Sequence, residues 1–208
     1  MGQTTIFLVV NIIGGILVLG SYLICFIQFP EERTKLWGEV PKKTQQRIVP
    51  FMLLAAVGYL ITGWWFWQVI EPNSLSLPGG FTYVGIIAFF ALLLALSTAW
   101  MPVSVLAIKK RSNLWKNITI CILLGVSIAS CFILFLVCTA TVEKNDISLG
   151  QVLAIIGWSF LCIQTVFWDG ILWVLKFHPD RTSLALSLIH ISEPTRPRLI
   201  SYAVFCLK

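Results

Sequence analysis

A carboxylate stands at Asp169, inside residues 149–176, a run with no other acidic or basic side chain before Lys176. On insertion scales a charged side chain at the centre of a membrane helix costs about 2.5–3.5 kcal/mol, so such groups face a bundle interior or water and mark ion, proton or ligand sites. Trp158, Cys162, Thr165, Asp169 and Trp173 recur at helical spacing and form one semi-polar stripe. A carboxylate turned into the bundle needs a donor, and Gln164, Asn11, Tyr22 and Tyr59 are the donors available in other apolar stretches or beside it. Pockets between helices are mostly apolar with a few convergent polar groups. On that basis Asp169, Trp100, Trp158, Gln164 and Tyr59 are the expected ligand-binding residues. The plainer alternative is that Asp169, only seven residues before Lys176, reaches the interface and is solvated while the aromatic side chains pack.

Other chemistry is missing from the sequence. It contains no phosphate loop, dinucleotide fingerprint, HExxH or Gly-x-Ser-x-Gly. His178 has its nearest acid, Asp180, two residues away and on another helix face, and no pair of carboxylates is spaced for acid–base work. Cys25, Cys121, Cys131, Cys138 and Cys162 lie in apolar runs without a CxxC or a Cys/His cluster, and they read as small buried hydrophobes. The expectation is a protein that is not an enzyme, with no catalytic residue, no metal and no cofactor.

The elements that would position Asp169 are spans. The 208 residues are 58% hydrophobic and 12% charged, against about 25% charged in soluble domains. Five apolar runs, at about 5–29, 48–70, 81–107, 118–141 and 149–175, are each long enough for a bilayer crossing of roughly 20 residues. The expected fold is therefore all-α, a polytopic membrane helix bundle of five transmembrane helices in one domain, residues 1–185. The first run lacks a basic flank and a small-residue cleavage site and reads as a retained span. In it Asn11, Gly14, Gly15, Val18 and Tyr22 share a face suited to close helix approach. Trp64, Trp65 and Trp67, at the end of the second run, read as an interfacial belt. Pro102 is expected to kink the third helix or loosen its last turn.

Basic residues alternate between loops. The first loop has Arg33, Lys35, Lys42, Lys43 and Arg47, the second has none, the third has Lys109, Lys110, Arg111 and Lys116, and the fourth has only Lys144. The positive-inside rule then puts the first and third loops in the cytoplasm and the N-terminus out. The net charge of +6 is explained by topology, with no nucleic-acid patch. Residues 186–208 resemble the translation of sequencing-library adapter ends, Leu186 to Arg196 and Ile200 to Lys208 in the right order. They are read as a non-native tail and set aside.

Late in the third run stands Trp100-Met101-Pro102, followed by the basic turn 109–116, and the fifth run is rich in tryptophan. Over residues 5–175 these features resemble the tryptophan-rich sensory protein (translocator protein) family. The resemblance implies a five-helix bundle that binds porphyrins, sterols or similar apolar ligands. Trp100 and Pro102 match the family's third-span pattern directly. Ser97 stands where the family has an asparagine, and Ala-Val-Gly-Tyr at 56–59 stands where it has Trp-x-x-Leu-Tyr.

Two functions follow as expectations. One is an integral membrane protein that binds or transports a small apolar ligand, tetrapyrrole- or sterol-like, within the bundle. The other is a non-catalytic subunit or assembly factor of a larger membrane complex. The partners are then the lipid bilayer and an apolar ligand, or a membrane-protein partner or second copy, and no nucleic acid. The orientation is testable by cysteine labelling. A cysteine placed at residues 73–76 is expected to react with an impermeant reagent from outside, and one at Ser112 only from the cytoplasmic side; the reverse accessibility would refute it.

Overall fold

The computed structural model describes residues 2–142 and 148–178. Lys144, Asp180 and the tail at 186–208 lie outside the described residues. In hydrocarbon a chain must satisfy its own backbone polar groups, and the apolar runs do so as helices. They are α1 (Gln3–Gln28), α2 (Lys42–Trp64), α3 (Tyr83–Lys110), α4 (Asn113–Thr139) and α5 (Leu149–Cys162). Two helices continue in a wider, π-type winding. The end of α2 does so over Trp65–Val69, and α5 does so over Ile163–Trp173 before a last turn, Val174–Lys176. Five segments are thus long and apolar enough to cross a membrane, an all-α architecture. The second starts at Lys42 rather than at the first apolar residue, so Lys42, Lys43 and Arg47 ride on its first turns.

α3 packs against α1 and α4, and α5 packs against α2 and α4. The lateral order is therefore α1, α3, α4, α5, α2. α1 leans on α3 along its length and meets the widened end of α2. Its other faces expose Ile12, Ile16, Leu19, Leu23 and Ile27, as lipid contact requires. Buried side chains gather in two clusters. One holds Phe7, Trp65, Phe66, Phe90 and Trp158, and the other holds Cys25, Leu36, Met101, Trp173 and Phe177.

Lipid tails are as apolar as leucine, so helices associate through close packing and interhelical hydrogen bonds. The tightest crossing joins α2 to α5 at Gly58 and Gly157, both buried. A Cβ on Gly157 would lie 2.8 Å from the Gly58 Cα, and one on Gly58 would strike the Gly157 backbone. One turn away the Thr62 hydroxyl donates to the Ala154 carbonyl at 3.1 Å. α4 meets the widened part of the fifth span at Gly170, where a Cβ would sit 2.8 Å from the Ser127 Oγ. The Ser127 hydroxyl lies 2.7 Å from the Thr165 carbonyl.

Each end of the bundle is tied. At one end the Gln151 amide donates to the Val137 and Ala140 carbonyls, which closes the C-terminus of α4. Ser148 caps the start of α5. A two-residue antiparallel ribbon, β1 (Leu75–Ser76) with β2 (Thr141–Val142), joins the loops there. At the other end the turn Lys35–Trp37 folds over the close of the fifth span. Its Leu36 carbonyl accepts from the Trp173 indole at 2.7 Å, and the Glu39 N–H donates to the Lys176 carbonyl at 2.9 Å. Gly38 is required between them, because it has φ 55 and its Cβ would press on the Lys176 and Phe177 backbone. Lys109 stands 3.6 Å over the Phe29 ring and Arg33 5.2 Å over Phe26 at this same end.

Two sequence expectations are corrected. Trp65 is fully buried, with its indole against Gly150 and Phe66, so only Trp64 of that pair lies open to the surroundings. Cys121, Cys131 and Cys138 are exposed on α4, and only Cys25 and Cys162 are buried; a small thiol suits a lipid-facing position as well as a core. Pro102 lies inside α3, which runs on to Lys110, and the Ser104 hydroxyl donates to the Trp100 carbonyl one turn back.

The glycine crossing is the packing feature most exposed to test. Gly157→Ala is expected to lower thermal stability in detergent by about 1–3 kcal/mol, the range for overpacking. Gly15→Ala, at a glycine with nothing within 4 Å, is expected to stay within about 0.5 kcal/mol of the parent. Equal behaviour of the two variants would contradict the crossing.

Candidate functional site

The fifth span's change of winding builds the site. In an α-helix of 3.6 residues per turn, side chains five apart point roughly 140° from one another. Hydrogen bonds from i to i+5 widen the turn and bring such a pair toward one face. Gln164 and Asp169 are five apart and lie within the π-wound segment Ile163–Trp173. The Gln164 Nε2 donates to Asp169 Oδ1 at 3.0 Å. The opposite amide orientation would set a carbonyl oxygen against a carboxylate, two acceptors together, so the contact decides the assignment.

Gln164 is 5% exposed, and its Oε1 has no hydrogen-bond partner among the described residues. Asp169 is partly buried. Among the described residues the Gln164 amide is its one hydrogen-bond donor, and no cation pairs with it. Lys176 is seven residues on, at most about 10 Å along the axis, and makes no ion pair with Asp169. The carboxylate is therefore held by its own helix rather than by a charge at the interface. An orphaned buried acceptor of this kind costs about 1–3 kcal/mol, more than the ~0.6 kcal/mol average of a hydrogen bond between membrane helices.

Aromatic side chains from two other helices stand nearby. The widened segment carries Trp173 one turn beyond Asp169, and Trp100 of α3 links it to the Tyr22 phenol on α1. The Trp100 indole N–H on α3 donates to that Tyr22 hydroxyl. Trp100 meets Tyr22 edge-on with centroids 5.8 Å apart and Trp173 edge-on at 6.0 Å. Trp173 in turn stacks on Phe177 at 4.1 Å. One region toward the basic end thus gathers Asp169, Gln164 and Trp100 from the expected set, with Tyr22 and Trp173 added.

Tyr59 and Trp158 lie elsewhere, in the cluster around Phe90. Their rings stack at 5.9 Å, and both contact Phe90, at 5.8 and 5.2 Å. The Trp158 indole donates to the Ser130 carbonyl at 2.8 Å, and the Tyr59 hydroxyl donates to Asn11 Oδ1. Both are fully engaged in joining helices. Asn11 does bridge α1 to α2 as its place in the first span led one to expect, and Gly14 faces Leu94 on α3, whereas Gly15 opens outward. The five expected residues therefore divide between two regions. A separate apolar concavity on the outer face of α4, lined by Ser127, Ile128, Cys131, Phe132, Phe135 and Val166, contains none of them.

Sequence reasoning missed the widened winding itself and the part played by Ser127. The pairing of a glutamine with a carboxylate at a spacing of five was the available signal, and it is unreadable on a regular helical wheel. Compared with family models, curated proteins and solved structures, the chain matches none.

Asp169→Asn is the direct probe of this arrangement. Asparagine keeps an acceptor for the Gln164 amide and brings an N–H for its orphaned oxygen. The variant is expected to insert normally and to melt higher than the parent, by up to the ~1–3 kcal/mol that an unsatisfied buried group costs. Unchanged stability would make Asp169 a solvated interface residue.

Proposed function

We propose that this integral, multi-pass membrane protein binds a small, largely apolar ligand, tetrapyrrole- or sterol-like in size, at the Asp169, Gln164 and Trp100 region. The observation that carries the reading is the buried Gln164 Oε1, which among the described residues has no partner, beside a carboxylate that among them has no counter-charge. Natural bundles rarely leave such a group unsatisfied, and a binding site is a standing reason for one. Aromatic walls from Tyr22, Trp100 and Trp173 suit an apolar ligand body. In this reading Tyr59 and Trp158 hold α1, α2, α4 and α5 in place and do not touch the ligand. The resemblance of Trp100-Met101-Pro102 to the tryptophan-rich sensory protein (translocator protein) family supports the same ligand class. The protein acts by binding and not by catalysis, with its basic loops in the cytoplasm and the N-terminus outside.

A second reading, a non-catalytic subunit of a larger membrane complex, is favoured by one observation. Gly15 and Gly20 open from α1 with nothing within 4 Å, among exposed Ile12, Ile16 and Leu19. Small residues on an outer face let another helix approach.

The two readings separate in one experiment on purified protein. Under the first, a panel of tetrapyrroles and sterols raises the melting temperature of the parent, and Trp100→Ala abolishes the rise. Under the second, none of the panel acts, and Gly15→Leu with Gly20→Leu reduces the size of the native assembly. A panel without effect overturns the ligand reading.

A further inference from the structure

The polarity of the site says more about what it takes than its walls do. The unsatisfied groups of the Gln164–Asp169 pair are acceptors, and the two donors left over nearby, the Trp168 indole N–H and the Tyr22 hydroxyl, bond to neither of them. Among the described residues, Gln164 Oε1 is buried and unpaired, and the Asp169 carboxylate takes a single N–H, from the same glutamine. The other donors of the region are spent. The Trp100 N–H goes to Tyr22, the Trp173 N–H goes to the Leu36 carbonyl, and the Thr165 hydroxyl goes to the Leu161 carbonyl on its own helix. A ligand that brings only acceptors, or only hydrocarbon, leaves both oxygens unsatisfied. One that brings a positive charge with N–H groups answers the carboxylate and the amide together. The rings of Tyr22, Trp100 and Trp173 present π-systems in the same region, and aromatic faces attract ammonium groups most strongly where water is excluded.

We infer that the Gln164–Asp169 pair receives the ammonium group of a protonated lipophilic amine whose apolar body lies among Tyr22, Trp100 and Trp173. This rests on the ligand reading above and narrows its ligand class. The Asp169 carboxylate supplies the counter-charge. The Gln164 carbonyl oxygen accepts an N–H, so a primary, secondary or protonated tertiary amine fits and a quaternary ammonium does not fully fit. The glutamine holds its amide N–H on Asp169 Oδ1 throughout, which fixes the carboxylate for the incoming cation.

The test uses the full chain in neutral detergent and three probes sharing one fused-ring hydrocarbon body. They are a tertiary amine protonated at neutral pH, its N-methyl quaternary salt, and the uncharged carbon isostere. Quenching of tryptophan fluorescence reads binding, since Trp100 and Trp173 flank the site. Charge-assisted hydrogen bonds are worth about 1.5–3 kcal/mol, so the protonated amine is expected to bind at least about tenfold more tightly than the isostere. The quaternary salt is expected to fall between them. Gln164→Leu, which removes the N–H acceptor and also frees the carboxylate, is expected to weaken the amine more than the quaternary salt and so to close the gap between them. Equal affinity for amine and isostere in the parent protein overturns the inference without any variant having to fold, and leaves the apolar-ligand reading standing. No binding of the three probes, with stabilisation by a tetrapyrrole or sterol, does the same. No binding of any probe and no stabilisation by the panel overturns both.

Discussion

The widening of the fifth span over Ile163–Trp173 is the constraint on which the polar interior depends. A regular α-helix would send Gln164 and Asp169 to different faces and leave the carboxylate without its amide. Wider winding turns them together and lets the Gln164 amide reach Asp169 at 3.0 Å. It also lets α4 press against Gly170, with the Ser127 hydroxyl 2.7 Å from the Thr165 carbonyl. Single widened turns inside α-helices occur often at functional sites. Here the departure runs for eleven residues and includes the one acidic residue of the span.

A distorted helix in lipid needs support from its neighbours, and the packing supplies it on three sides. Gly58 and Gly157 bring α2 into backbone contact with α5 before the winding changes. Ser127 engages it from α4. The turn Lys35–Trp37 closes its end through Trp173 and Lys176. Individual hydrogen bonds between membrane helices average only about 0.6 kcal/mol. The steric crossing of two glycines therefore sets the geometry, and the hydrogen bonds select its register. The second widened stretch, Trp65–Val69, is held likewise, with the Tyr83 hydroxyl donating to the Phe66 carbonyl at 2.7 Å.

Much of this architecture was legible in the residues. Hydrocarbon demands long helices, so five apolar runs announced five spans, and the bounds differ mainly where Lys42, Lys43 and Arg47 extend a helix beyond its apolar part. Asn11, Gly14 and Tyr22 on one face did become contacts, because α-helical periodicity holds in α1. The candidate site was legible only in part. Asp169, Gln164 and Trp100 come together, but Tyr59 and Trp158 share an aromatic type without sharing a place. Composition cannot say which end of a 27- or 28-residue span a ring will pack at. Trp65 misled for a related reason, since a tryptophan near a span's end fits an interfacial belt and a buried corner equally well. The change of winding had no period of its own to read.

The contact between Gln164 and Asp169 can be measured without any ligand. Solid-state NMR on protein in bilayers, with Gln164 labelled at the side-chain nitrogen and Asp169 at the carboxyl carbon, reads their separation through dipolar coupling. Hydrogen-bond contact, matching the 3.0 Å between Nε2 and Oδ1, is expected. A coupling too weak to detect, as for side chains on separate faces of a regular α-helix, would contradict the contact and the widened winding that makes it.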